Sequence, residues 1–463
     1  MTAHAEPAVI AKPASWLRFS RAGWLVAPVF AVLLVAGIER TAGGGLDAAQ
    51  QVPIGQMPRI GYGPANFTAA MARSDEFLAT ADERVRSGNG GWLWAESMAQ
   101  ARISRFRLTG NYDDLVAAGA ALAAGRTDAP ERSGPLMSEA VLAVMTHRLD
   151  RTAERLAMFE RSAVPLDALD LAEVAGMRGD IAFYRGDMAT AARYYSAGET
   201  LSGAQAMAFH RAVIAKARGN FDAAILQFRR SGEAKKGTAP FAAASMAMQI
   251  GAVELARGNH AVANRWFQTA DRTFRDFWLI DAHLAQARAI DGDLPGAIDA
   301  MRGVALRSSA AEAMDALAML LRAQGIGGES RLWAARADAL WRKRLGQLPE
   351  AAFGHALEHE LVFGTPTRAL DLATRNLAAR PNGESRILMA SALLMNGRTE
   401  AALDQLALAE RSGWRSGPLY ALRAQAFELS GKTSDAEVAR RQAQTLNPHI
   451  FEPVTALVWF SHG

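Results

Sequence analysis

The residues with the clearest chemical potential are His355, Glu358 and His359, in the string His-Ala-Leu-Glu-His. On a helix, positions four apart project from one face, so both imidazoles could reach one zinc ion. Glu358 would then stand where a general base could activate a metal-bound water. A further carboxylate would have to come from later in the chain, and Glu428 and Glu437 stand at a suitable remove. The competing reading is a polar helix face whose two histidines pack partly against the next helix. Other catalytic patterns are absent. The chain has no cysteine, which excludes disulfides, thiolate metal sites and cysteine nucleophiles. It also lacks a phosphate-binding G-x-x-x-x-G-K-[ST] loop, a G-x-G-x-x-G turn after a strand and a G-x-S-x-G elbow. The expectation is a non-enzyme without a cofactor, and zinc hydrolysis at His355, Glu358 and His359 is the alternative.

Composition narrows the class. The 463 residues carry 51 basic and 47 acidic side chains, a net charge of +4. No Lys/Arg cluster resembles a nucleic-acid footprint, so no nucleic-acid partner is expected. Half of the residues are hydrophobic, which suits a folded chain, and the length calls for several domains or a repeat array. Arg and Ala abundance suggests a GC-rich bacterial genome. Lys12, Arg18 and Arg21 precede an uncharged apolar run of 17 residues at 22–38. That is the short end of a membrane span, and the preceding charges favour a cytoplasmic N-terminus. A cleaved signal peptide and a buried helix are the rival readings. Residues 1–21 then form a cytoplasmic segment and 39–65 a flexible tether, rich in Gly, Gln and Pro over 41–65. Asn66 begins a helix as its N-cap, a more natural role than the glycosylation sequon Asn66-Phe67-Thr68.

The elements that would position any site repeat themselves. A glycine is followed five residues later by alanine at Gly186/Ala191, Gly219/Ala224, Gly258/Ala263, Gly292/Ala297, Gly364/Ala369, Gly397/Ala402 and Gly431/Ala436. The glycine steps are 33, 39, 34, 72, 33 and 34 residues, and Gly325 divides the long one. Each glycine would end a first helix in a left-handed cap, and each alanine would let the second helix approach closely. Four residues beyond the alanine comes a large residue: Tyr195, Phe228, Phe267, Met301 or Leu406. The segments GDMATAARYYSAG at 186–198 and RALDLATRNLAARP at 368–381 resemble the second-helix pattern of the tetratricopeptide repeat family. The resemblance implies an all-α, tetratricopeptide-like helical-repeat solenoid behind an N-terminal transmembrane helix. Good repeats fall at 172–205, 205–238, 244–277, 278–311, 350–383, 383–416 and 417–450, with a degenerate one at 311–344. Residues 66–171 form an N-terminal helical region with weaker repeats, 172–450 the array and 451–463 a C-terminal tail.

Solenoids of this kind work through a concave face lined by first helices. Counting back from the glycines places Phe209, Val213, Lys216, Met248, Leu255, Ile387, Leu394, Met395, Gln425 and Glu428 there. So apolar a groove suits an amphipathic helix or an extended apolar peptide, unless these residues simply pack between helices. Trp92 and Trp94 are expected to pack the lone first helix onto the array. The apolar tail VTALVWF (454–460) is expected to fold over the edge of the last helix pair, with partner or membrane docking as the other reading. Together these readings describe a single-pass bacterial inner-membrane protein with a periplasmic repeat domain. Its expected task is to bind and organise partner proteins at the envelope; glycan or lipid recognition by the concave face is a further alternative.

Overall fold

The computed structural model describes residues 60–88, 91–232 and 239–460. The expected cytoplasmic segment 1–21, the anchor 22–38 and most of the tether 39–65 lie outside the described residues. Among the described residues, no helix is long and apolar enough to cross a membrane. Their regular structure is helical, apart from isolated bridge residues such as the pair Asn66 and Arg275.

A lone first helix, α1 (Phe67–Arg86), precedes a series of helix pairs. The first two pairs are α2 (Gly91–Thr109) with α3 (Tyr112–Asp128), and α4 (Leu136–Met145) with α5 (Leu149–Phe159). Next come α6 (Ala168–Tyr184) with α7 (Met188–Ser202), and α8 (Ala208–Ala217) with α9 (Phe221–Ser231). The middle holds α10 (Pro240–Ala256) with α11 (His260–Thr273), and α12 (Trp278–Ile290) with α13 (Leu294–Ser308). Then follow α14 (Ala311–Ala323) with α15 (Gly327–Gln347), and α16 (Pro349–Phe363) with α17 (Pro366–Ala379). The last pairs are α18 (Gly383–Met395) with α19 (Thr399–Arg411), and α20 (Gly417–Leu429) with α21 (Thr433–Leu446). A short 3₁₀ segment, Pro453–Leu457, begins the tail.

Local chemistry sets the helix ends. The Asn66 side chain accepts from Ala69 N at 2.8 Å, and Asp167 and Asp170 form a reciprocal capping box at the start of α6. The turn glycines at 186, 219, 258, 292, 325, 397 and 431 all have positive φ, as a left-handed cap requires. Gly364 departs from this expectation, with φ −97°. A side chain there would collide with the Glu360 carboxylate, so closeness to that group is what excludes a Cβ.

Within a pair, small residues on the first helix receive large ones from the second. The seven landmark alanines are all buried, as are Tyr195, Phe228, Phe267, Met301 and Leu406. Gly251 sits against Phe267, where a Cβ would lie 2.5 Å from ring atom Cε1. Gly179 faces Tyr195 in the same way. Ala212, Ala285, Ala318, Ala390 and Ala424 hold the equivalent register, seven residues before their turn glycines, and all are buried.

The array is wound tightly enough to touch itself. Arg344 in α15 donates to the carbonyl of Gly110 in the α2–α3 turn at 3.2 Å, and the Tyr112 hydroxyl donates to Ala351 O at 3.2 Å. One pair on, His147 meets Arg380 at 2.9 Å. Gly186, at φ +82°, approaches the loop before α18 so closely that a Cβ would lie 2.7 Å from Pro381 O. Arg415 N donates to Ala217 O at 2.7 Å. Successive pairs therefore meet pairs one superhelical turn later, and buried residues of both turns belong to one continuous core from Leu108 to Phe460.

Candidate functional site

The histidine string lies in α16, and its two imidazoles are held by different carboxylates, with Trp341 between them. His355 Nδ1 lies 2.9 Å from Glu358 Oε2, and its ring stacks on Trp341 at 6.0 Å. His359 Nδ1 lies 2.6 Å from Asp315 Oδ1, while Trp341 Nε1 donates to Asp315 Oδ2 at 2.8 Å. Asp315 is fully buried; burial raises its pKa, and the His359 and Trp341 hydrogen bonds pull it back. Asp338, His359 and Glu360 bring one ligand atom each within 4.8 Å of one another. Arg368 already supplies a cation there, donating to Asp338 Oδ1 at 2.9 Å and Glu360 Oε1 at 2.6 Å. Glu428, a candidate third ligand, is exposed and paired with Arg440 inside its own helix pair. Glu437 is exposed beside Arg441 at 3.9 Å. These side chains tie α14, α15, α16 and α17 together.

The residues expected on a concave surface divide into three groups. Val213, Met248, Leu255 and Ile387 are buried in the core, packed between helices rather than lining an open groove. Phe209, Lys216 and Leu394 are half-buried, and Met395, Gln425 and Glu428 are exposed. Burial lowers the pKa of Lys216 to about 8, with Glu384 opposing. Trp94 is half-buried and takes the Arg84 guanidinium of α1 over its ring at 5.8 Å; Trp92 is half-buried as well.

Two polar clusters on the inner helices were not singled out from the sequence. Asp180 in α6 accepts from the Tyr195 hydroxyl at 2.8 Å and lies 2.8 Å from His210 Nδ1. Burial depresses the His210 pKa, but Asp180 more than offsets this and the net shift is upward. Around Arg344, Glu312 lies at 2.7 Å and both rings of Tyr112 and Trp341 face the guanidinium, at 4.7 and 4.8 Å. Each cluster bridges neighbouring helices or superhelical turns. Their only sequence signal is a charged residue at an otherwise apolar register position, as with Asp315 in α14.

The third unforeseen feature is a seat for an extended segment. Phe451 lies beside the last helix pair, with Arg440 over its ring at 5.0 Å, but the segment 454–460 expected to cover that pair's edge lies elsewhere. The pair α20–α21 ends one superhelical turn above α10–α11, and a Cβ on Gly258 would lie 2.5 Å from Asn447 Oδ1. From that point the tail crosses onto α12 and α14. There the buried Gln286 reads its backbone: Trp459 N and Phe460 N donate to Oε1 at 2.7 and 2.8 Å, and Nε2 donates to Phe460 O at 3.2 Å. The Phe460 ring is buried 5.5 Å from His283, and Trp459 lies 6.1 Å from Phe363.

No protein-family model and no curated protein matches the chain. Solved structures do match, among them a tetratricopeptide repeat protein and a TPR domain. One, from Parabacteroides merdae, is 14% identical with a TM-score of 0.34, over 56% of this chain and 98% of that one. Pseudomonas aeruginosa pilF is 19% identical with a TM-score of 0.27, over 44% and 92%. The P58(IPK) TPR domain is 10% identical with a TM-score of 0.25, over 82% and 98%. The described residues form an all-helical repeat array on the evidence of their own stacked helix pairs.

Proposed function

We propose that this protein is a membrane-anchored repeat scaffold that binds and organises partner proteins at the bacterial envelope. The observation that supports it is the seat on α12, where a buried glutamine and aromatic rings hold an extended peptide segment through its backbone. Side-chain amides that satisfy both the N–H and C=O of a strand are a general means of holding peptides. The ionisable side chains gathered on the inner helices serve as cross-links, which suits a frame better than a reaction centre. The apolar run 22–38, preceded by positive charges, would tether the array to the inner membrane with the repeats in the periplasm. Such a tether raises the local concentration of the array at the membrane, so modest contacts suffice for capture.

The test is photo-crosslinking of the full-length protein in its native membrane, paired with a topology reporter fused at the C-terminus. A reproducible set of envelope proteins and a periplasmic reporter support the reading. A cytoplasmic reporter, or crosslinks no different from those of an unrelated membrane-anchored control, sinks it.

A further inference from the structure

The segment on α12 belongs to the chain itself, and its chemistry points to what else could lie there. Elsewhere, contacts between superhelical turns run from the turn or helix end inside one pair to the loop before a later pair, as with Gly186 and Pro381 or Ala217 and Arg415. At α12 the described residues facing it are 453–460, a 3₁₀ turn over Pro453–Leu457 followed by three residues outside any helix. The attachment is of a different kind. It consists of three hydrogen bonds from one side chain to the backbone of two residues, plus two aromatic rings in contact with His283 and Phe363. With the tail in place Gln286 is 2% exposed and His283 is fully buried, so the segment seals the two side chains it contacts. The hydrogen bonds to Trp459 and Phe460 involve only main-chain atoms, so they accept any sequence. Selection falls to the two rings, and to the aliphatic Leu457 and Val458 that pack against the core before them.

We propose that residues 453–460 are a self-ligand, and that the site they occupy binds a partner protein's extended segment bearing two adjacent aromatic residues after an aliphatic stretch. The tail and the partner compete. A short tether holds the tail at an effective concentration on the order of mM, so the site is closed until a partner segment displaces it. This rests on the scaffold reading and adds the partner's chemistry and the control of access.

The probe is a fluorescent, amide-capped synthetic peptide of residues 452–460, EPVTALVWF, measured by anisotropy against the full chain. Removing the anchor ring with Phe460→Ala weakens the tail in place, and peptide affinity is expected to rise ~10-fold or more over wild type, the usual weight of a buried aromatic anchor. Adding Gln286→Ala to that variant is expected to abolish the gain. Equal affinity for wild type and Phe460→Ala overturns the proposal, and so does a gain that survives Gln286→Ala. If Phe460→Ala loses its far-UV helical signal, wild type decides the matter. The same peptide with a photoreactive benzoylphenylalanine at the position of Phe460 is expected to crosslink to α12 at high peptide concentration, and crosslinks elsewhere alone overturn the proposal. Native-membrane crosslinking stays independent of these outcomes: envelope partners can be captured while this site refuses the peptide, and then only the inference about the site falls.

Discussion

Two glycine-to-alanine changes, both inside helices, should move stability in opposite directions. Gly303 in α13 is exposed, with nothing within 4 Å of an added Cβ. Gly303→Ala therefore gains only what alanine gives a helix, about 0.5–1 kcal/mol. Gly251 in α10 gains the same propensity term but meets Phe267. Its Cβ would lie 2.5 Å from Cε1, 2.8 Å from Cδ1 and 3.0 Å from Cζ. The ring has little room to retreat, being 1% exposed and stacked 4.3 Å from His283. Overpacking of this kind costs about 1–3 kcal/mol, and the pinned ring places it in the upper part of that range. The expected net effect of Gly251→Ala is destabilisation by about 1–2 kcal/mol once the propensity gain is subtracted. Guanidinium denaturation followed by far-UV circular dichroism reads both variants against wild type. In a Phe267→Leu background the clash has gone, so Gly251→Ala should cost much less or become stabilising. A Gly251→Ala midpoint raised as far as that of Gly303→Ala would refute the account of how first and second helices fit.

His147 is buried, at φ +56°, with Arg380 Nη1 2.9 Å from its Nε2. Burial pushes its pKa well below the ordinary 6.5, and Arg380 and His355 add to the shift. As pH falls below 6.5 the unfolded chain takes the proton first, so stability is lost by up to about 1.4 kcal/mol per pH unit until the folded-state pKa is reached. His147→Asn, which tolerates the left-handed backbone, should flatten the pH dependence of the denaturation midpoint between pH 6.5 and 5. Arg344→Ala removes a buried cation from Glu312 and from Gly110 O, and should cost about 3–5 kcal/mol. Hydrogen exchange in that variant should accelerate in α2 and α3 as well as in α15; protection lost from α15 alone would count against the contact between turns. Purified protein should contain no stoichiometric zinc, since His355 Nδ1 and His359 Nδ1 are each engaged by a different carboxylate, Glu358 and Asp315. One zinc per chain by elemental analysis, lost in His355→Ala and His359→Ala, would restore the hydrolase reading.

What could be read from the sequence was what repeats. The turn glycines, the alanine five residues on and the large residue after it recur at a near-constant period, and the structure buries all those alanines. Gly364 shows the limit of that reading, because a glycine can be required by a close approach as well as by positive φ. The seven-residue register of Gly179, Gly251 and Ala390 was equally visible in the sequence, yet it becomes meaningful only when the large partner across the pair is known. The expected groove was harder to judge. Whether Val213 or Met248 faces a partner or the core depends on superhelical pitch, which sums small rotations over every pair. Pitch is set by contacts such as Arg415 with Ala217 and Gly186 with Pro381, between residues about two hundred positions apart. No local pattern announces them. Gln286 escaped for a related reason, since a lone buried glutamine in an alanine-rich helix has no meaning until the tail arrives beside it.

The closed winding changes where a partner can bind. An open solenoid offers a long inner surface and reads a helix or peptide along several repeats. Here four of the ten expected groove residues, Val213, Met248, Leu255 and Ile387, are buried, so the inner surface is interrupted. Above α12 the described residues that cover the inner helix are those of the tail. Gln286 lies beneath them and must be satisfied there. A buried amide left unpaired costs about 1–3 kcal/mol, so a tail that covered Gln286 without bonding it would be disfavoured. Its three hydrogen bonds to the tail remove that cost. They also make the site demanding: any replacement for the tail must present a free backbone N–H and C=O at the same depth, which an extended segment can do and a helix, with both groups already bonded, cannot. Winding thus brings the tail back onto α12 in the middle of the array, and a site there that bonds free backbone groups favours an extended peptide over an amphipathic helix as the occupant.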